Sequence, residues 1–92
     1  MKIELHAKFE KKFDTLSRKL QDRFFERVAI FRENQFHPIL NNHSVDHAYS
    51  GWRSINVTGD YRALFEEVEG GIVFMKIGTH PELYGWIAIV VD

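Results

Sequence analysis

The sequence predicts a small α+β domain in which two N-terminal helices pack on a twisted, mainly antiparallel β-sheet. The first observation is a helical spacing of apolar residues in the first third of the chain. The second is a run of apolar and polar residues from Trp52 onward that alternate as in β-strands. The third is a pair of turn signals, Gly59-Asp60 and Gly70-Gly71, that divide this run. With 92 residues and no linker-like segment, the chain is expected to form one domain over residues 1–92.

The N-terminal third predicts a strand followed by a helical pair. Lys2–His6 is expected to be a short strand, and Ala7–Asp14 a helix with two phenylalanines four residues apart. Ser17 is a suitable N-cap for a longer helix over Arg18–Asn34. The face of this helix that is expected to contact the sheet carries Leu20, Phe24, Val28 and Phe31.

The segment from Trp52 predicts a three-stranded meander. Trp52–Thr58 and Tyr61–Val68 alternate between apolar and polar side chains, whereas Ile72–Ile77 is nearly all apolar, as in a buried central strand. Trp86–Val91 is rich in β-branched residues and predicts a final strand. Asn34–Tyr49 is expected to be a loop, since His37 precedes a proline and Asn41-Asn42 is typical of turns.

The predicted turns bring polar residues together at one end of the sheet. With Gly70-Gly71 as the second turn, Glu69 would face Ile72, Phe65 would face Lys76, and Tyr61 would face His80. Asp60 and Arg62 would then lie beside His80 although they are distant in sequence. The alternative is that Asp60 is only a turn former and His80 only a loop residue.

Composition narrows the function without deciding it. The net charge is −1, so composition alone does not indicate a nucleic-acid-binding protein. Met1–Gln35 nevertheless holds nine Lys or Arg against six acids, which predicts either a basic binding surface or an ordinary solvated one. The absence of cysteine is compatible with a reducing cytoplasm. Met1–Glu10 lacks the apolar core of a signal peptide, and Trp86–Val91 is too short to span a bilayer, so no membrane association is expected.

His43, Asp46 and His47 raise the question of a metal site. These residues would share one side of a helix, but the Asn and Pro content of the loop argues against a helix there. The sequence therefore predicts neither a metal site nor a cofactor.

Several short motifs occur in an order and spacing that resembles the RelE/YafQ family of bacterial toxin–antitoxin toxins. They are Asn42-His43, Gly51-Trp52-Arg53, Gly59-Asp60-Tyr61-Arg62, Gly78-Thr79-His80 and Leu83-Tyr84-Gly85. The resemblance covers nearly the whole chain up to Gly85. It implies a RelE-like fold and a cytoplasmic, ribosome-dependent endoribonuclease that cuts mRNA. It also implies a cognate antitoxin as partner, with a toxin–antitoxin heterotetramer as one assembly, besides the ribosome and mRNA.

The resemblance also implies roles for individual residues. His43, Asp60 and His80 match the acid–base residues of the YafQ-like branch. Positions expected to bind RNA are Arg53, Arg62, Lys76 and Tyr84.

RNA cleavage by internal attack needs a base, a cation at the phosphate and an acid. His43 or Asp60 could serve as base and His80 as acid, without a metal ion. The competing predictions are a ParE-like toxin that inhibits DNA gyrase without cutting RNA, and a degenerate toxin that only binds RNA or antitoxin. The spacing of Asp60, His80 and Tyr84 favours the nuclease.

Overall fold

The computed structural model describes the backbone of residues 1–91 and the side chains up to Gly85. It contains one five-stranded sheet, in the order β1-β5-β4-β3-β2, and three helices, which confirms the predicted α+β architecture. The strands are β1 (Lys2–Leu5), β2 (His43–Ser44), β3 (Trp52–Asn56), β4 (Tyr61–Val68) and β5 (Gly71–Thr79). The helices are α1 (Ala7–Phe13), α2 (Arg18–Glu33) and α3 (His80–Val91).

The two N-terminal helices begin at side-chain caps that satisfy their first backbone N–H groups. His6 Nδ1 accepts from the N–H of Lys8 at 3.1 Å, and Ser17 Oγ accepts from the N–H of Leu20 at 3.2 Å. The Ser17 cap is therefore confirmed. Both helices end one residue before the predicted boundary, within the usual variation of helix ends.

Phenylalanine rings from both helices and the sheet form the core. Phe74 of β5 is fully buried, and its ring centroid lies 5.1 Å from that of Phe24 and 5.8 Å from that of Phe9. Phe65 of β4 and Phe31 of α2 complete this ring cluster. Because α1 and α2 cover this face of the sheet, we call it the helical face.

The meander forms as predicted, but its register is different. Tyr61 pairs with Thr79 rather than His80, Phe65 with Phe74 rather than Lys76, and Val68 with Gly71. The turn is therefore Glu69-Gly70, and Gly70 adopts a φ of 79° that glycine tolerates best. A bulge between Leu64 and Phe65 reduces the offset from the predicted register from two residues at Phe65 to one residue at Tyr61. Ala63 and Phe65 are two residues apart on β4, whereas their partners Ile77 and Phe74 are three apart on β5. The bulge absorbs the extra residue, so that both pairs lie on the helical face.

β1 joins the sheet as a parallel strand beside β5, with Lys2 opposite Gly71 and Leu5 opposite Phe74. A Cβ at Gly71 would lie 1.8 Å from the carbonyl oxygen of Lys2. Glycine at this position therefore permits the close approach of β1 to β5.

Two predictions for the remaining segments are wrong. The chain over Trp86–Val91 is helical, not a strand, and belongs to α3, which is interrupted at Gly85 (φ 74°, ψ −178°). The predicted loop over Asn34–Tyr49 contains a 3₁₀ turn at Pro38–Leu40 and the short strand β2, in which His43 lies. Within residues 1–91, no helix combines the length and apolar character needed to cross a bilayer.

Candidate active site

A cleft of about 380 Å³ opens where the β3–β4 turn meets the junction of β5 and α3. Asp60 and Arg62 line it from the turn side, and His80 lines it from the start of α3. The prediction that these three residues meet at one end of the sheet is therefore confirmed, although the register differs. The complete lining is Gly59, Asp60, Tyr61, Arg62, Thr79, His80 and Pro81.

His80 is positioned by a capping box at the start of α3. Glu82 Oε1 accepts from the backbone N–H of Thr79 at 2.8 Å, and the N–H of Glu82 donates to Thr79 Oγ1 at 3.4 Å. Glu82 Oε2 also lies 2.8 Å from Lys12 Nζ of α1. The hydrogen bond from Lys12, and then the one from the Thr79 N–H, lower the pKa of Glu82. His80, the first helical residue, is thus held between two residues that anchor each other.

Arg62 contributes a positive charge that its own turn holds in place. Its Nη1 donates to the carbonyl oxygens of Thr58, Gly59 and Tyr61 at 2.9, 3.0 and 3.2 Å. Its Nε and Nη2 make no hydrogen bond within the described part of the chain. The guanidinium can therefore bind an anion through N–H groups that the turn does not use.

His43 does not line this cleft. It is exposed on β2, opposite Ser54 of β3, and β3 in turn pairs with β4. At about 4.8 Å per strand, two strand spacings, roughly 10 Å, separate β2 from β4. The ring Nδ1 lies 2.7 Å from the carbonyl oxygen of Asn41. Since a carbonyl oxygen only accepts, this contact places a proton on Nδ1, and Nε2 is the ring nitrogen that could accept a proton when the ring is neutral.

The other predicted cations lie elsewhere. Arg53 shares the parity of Ile55 on β3, and its side chain contacts Asn42 and Phe36, not the residues of the cleft. Lys76 is exposed, with its Nζ 5.4 Å from the centroid of the Tyr49 ring. It borders a second cleft of about 420 Å³, formed with Lys8, Lys12, Met75, Ile77, Glu82 and Leu83.

Tyr84 lies between two histidines. Its ring centroid is 4.6 Å from that of His80, one helical turn earlier, and 5.9 Å from that of His47 in a stacked arrangement. Tyr49 stacks on Trp52 at 5.0 Å, and its hydroxyl donates to the carbonyl oxygen of Leu83. An aromatic surface therefore extends from the cleft along the sheet face opposite the helical face.

Sequence reasoning missed three contributors to this region. Asn42 binds Arg53, Tyr49 contacts α3, and Glu82 caps the helix that carries His80. The sequence did contain the signal for the last, because Thr79-His80-Pro81-Glu82 has the spacing of a capping box with Pro in the first turn. Among the described residues, no three His, Asp or Glu side chains are grouped so that they could hold a metal ion.

No protein-family model and no curated protein sequence matches the chain. Solved structures do match it in fold. YafQ from Escherichia coli strain BL21(DE3) superposes with a TM-score of 0.76 at 17% identity, over 91% of this chain and 98% of that one. A YoeB/ParE toxin from Agrobacterium tumefaciens gives 0.71 at 10% identity, over 87% and 99% of the two chains. The RelB-RelE antitoxin-toxin complex from Methanococcus jannaschii gives 0.69 at 15% identity, over 88% and 94%.

These similarities confirm that the chain has the fold of the RelE and YafQ toxins. At such low identity they establish the fold alone, because one fold can support several functions.

Proposed function

We propose that this chain, which has the RelE-like fold, is the toxin of a toxin–antitoxin pair and cuts mRNA on the ribosome. The observation that carries the proposal is the cleft in which Asp60, Arg62 and His80 meet although sequence separates them. A carboxylate, a fixed cation and an imidazole are the groups that internal cleavage of RNA requires.

In the proposed reaction, a ribose 2′-oxygen attacks the adjacent phosphorus. A base removes the 2′ proton, the bond from O2′ to phosphorus forms, and the bond from phosphorus to O5′ breaks. An acid protonates the departing O5′, so the products are a 2′,3′-cyclic phosphate and a 5′-hydroxyl. Protein side chains can carry every proton in this scheme.

The residues divide these tasks by position. His80 is the proposed acid because it lies in the cleft at the rigid start of α3. Asp60 in the cleft and His43 on β2, whose Nε2 is the ring nitrogen not used by the contact with Asn41, are the alternative bases. Arg62 is the proposed phosphate clamp, and Lys76 extends the positive charge along the strand that leads to His80. Tyr84 is the proposed stacking surface for an unpaired base.

A cognate antitoxin is the proposed inhibitor. Among the structures that share the fold, DinJ-YafQ from E. coli and RelB-RelE were both solved as antitoxin–toxin complexes. A heterotetramer of two toxins and two antitoxins is one assembly that such a partner would form. The ribosome and mRNA, both cytoplasmic, are the proposed targets.

Primer extension on a message translated by purified ribosomes tests the proposal. Wild type should cut the message only when ribosomes are present, and His80→Ala should cut it about a hundred- to ten-thousandfold more slowly. Arg62→Ala should slow cutting by a hundred- to a thousandfold, as expected for the loss of one donor to a charged transition state. Glu67→Ala, an exposed carboxylate at the opposite end of β4, is the matched control and should cut normally.

One alternative is inhibition of DNA gyrase. It is favoured by the net charge of −1, which is low for a protein that approaches ribosomal phosphates, and by the similarity to the YoeB/ParE toxin. If the wild-type protein arrests growth and blocks gyrase supercoiling without cutting any translated message, the gyrase function replaces the nuclease. If it does neither but binds RNA or antitoxin, the chain is a degenerate toxin.

A further inference from the structure

Arg53 and Asn42 form a connected set of contacts just before β2. Arg53 Nε donates to Asn42 Oδ1 at 2.8 Å, and its Nη2 donates to the Asn42 carbonyl oxygen at 3.4 Å. Asn42 Nδ2 donates in turn to the carbonyl oxygen of Gln35 at 3.0 Å. The guanidinium carbon of Arg53 lies 5.7 Å from the ring centroid of Phe36. Both ends of the Asn42 amide are therefore used, and they join the start of the loop to β3.

The residue that follows this set is His43. Its strand contains only two residues, both exposed, so the pairing of His43 with Ser54 and of Ser44 with Arg53 is a weak anchor by itself. The residue before Asn42, Asn41, adopts a left-handed conformation (φ 46°) and accepts from Nδ1 of His43. The direction of the His43 ring therefore depends on how firmly the loop before it is held.

The position of Arg53 does not suit a phosphate clamp. Arg53 lies on the same face of β3 as buried Ile55. Asn56 lies on the opposite face and pairs with Arg62 of the cleft. Two of its three guanidinium nitrogens already donate to Asn42. Arg62, by contrast, keeps two nitrogens without a partner in the described residues, beside the cleft.

We propose that Arg53 is a positioning residue, not an RNA-binding one. Together with Asn42 it holds the loop so that Nε2 of His43 faces the substrate. This inference rests on the proposed nuclease function and takes His43 as a residue that transfers a proton.

Kinetics on programmed ribosomes separate the two roles of Arg53. Arg53→Ala should lower kcat by about ten- to a hundredfold, the cost of a misplaced catalytic group, and leave KM unchanged. The salt dependence of binding should also be unchanged, whereas losing a phosphate contact would reduce its slope by about 0.7–0.9. Arg53→Lys should resemble Arg53→Ala, since an ammonium cannot make the same fork of hydrogen bonds.

Variants of Asn42 provide a conservative comparison. Asn42→Ala should reproduce the loss seen with Arg53→Ala, because it removes the other half of the same contact. Asn42→Asp keeps an oxygen for Arg53 Nε but loses the Nδ2 donor to the Gln35 carbonyl oxygen, so it should restore only part of the rate. Arg18→Ala, which removes a cation from an exposed helical ion pair, is the matched control and should have no effect.

A double-mutant cycle gives the decisive comparison. In a His43→Ala background, Arg53→Ala should cause no further loss if Arg53 acts only through His43. An additional loss of the same size as in wild type would overturn the inference. So would a reduced salt slope, or normal cutting by His43→Ala.

Imidazole ¹⁵N chemical shifts of His43 test the inference independently of cleavage. Wild type should show the Nδ1–H tautomer, and Arg53→Ala should shift the ring toward a mixture of tautomers while its melting curve remains cooperative. Identical shifts in both proteins would refute the positioning role. If wild type cuts no message but the shifts change as expected, the nuclease function fails and the structural coupling stands.

Discussion

The capping box at the start of α3 leads to a quantitative prediction about Glu82. Glu82→Ala removes one acceptor from the Thr79 N–H and one from Lys12, both at 2.8 Å. Losing a helix cap costs about 1 kcal/mol, and losing an ion pair this exposed costs less than about 1 kcal/mol. The expected total is about 1–2 kcal/mol, or roughly 4–16 °C in melting temperature for a domain of this size. Glu82→Gln keeps one acceptor and should lose less.

The same contacts make this stabilisation depend on pH. Since the pKa of Glu82 is lowered in the folded state, chiefly by Lys12, the charged form contributes stability above its ordinary value of 4.5. That contribution is lost as the pH falls through the folded-state pKa. The difference in melting temperature between wild type and Glu82→Ala should therefore be larger at pH 7 than at pH 3.

Circular dichroism melts of wild type, Glu82→Ala, Glu82→Gln and the exposed control Glu67→Ala provide the measurement. An equal difference at both pH values would refute the electrostatic part of the reasoning. A melting temperature for Glu82→Ala within about 1 °C of wild type would refute the capping role itself.

Two further substitutions test the core and the sheet. Phe74→Ala should destabilise the fold by about 3–5 kcal/mol, because it removes the ring that joins α1, α2 and β4. Phe25→Ala should cost far less, since the Phe25 side chain is 55% exposed. Urea unfolding measures the free energy of unfolding of both variants. Gly71→Ala should separate β1 from β5, since its Cβ would overlap the Lys2 carbonyl, and Gly59→Ala, which meets open space, should not. Amide exchange at Lys2 reports the difference, and normal protection of that amide in Gly71→Ala would contradict the prediction.

The sequence predicted the elements of the fold better than their pairing. The helices and the meander followed from periodicity, because each of these signals is local. The register did not, since the bulge at Leu64/Phe65 is selected by how Phe65 and Phe74 fill a core that also contains both helices. The strand predicted over Trp86–Val91 is wrong because it rested on β-branched composition alone, which is a weak and context-dependent preference; the chain there is helical after the interruption at Gly85.

For the site, the sequence predicted proximity but not orientation. Asp60, Arg62 and His80 meet because the order of turns requires it. The family resemblance grouped Arg53 with Arg62 as RNA-binding residues. Alternation along β3 nevertheless puts Arg53 on the sheet face of Ile55, and Arg62 lies on the opposite face with its partner Asn56. The contact between Arg53 and Asn42 depends on how the loop folds back on β3, which no local pattern reveals.

The parallel pairing of β1 with β5 has a consequence for how the sheet is completed during synthesis and folding. The N-terminal strand occupies the sheet edge beside β5, and Lys2 cannot find its partner until Gly71 has been synthesised. Closing so long a loop is slow compared with forming local hairpins or helices. The meander can assemble by itself, but β5 remains an open edge until the first residues of the chain return to it. A nascent chain is thus expected to pass through a state in which the sheet is incomplete. In that state the edge of β5 would be accessible to a binding partner or a protease.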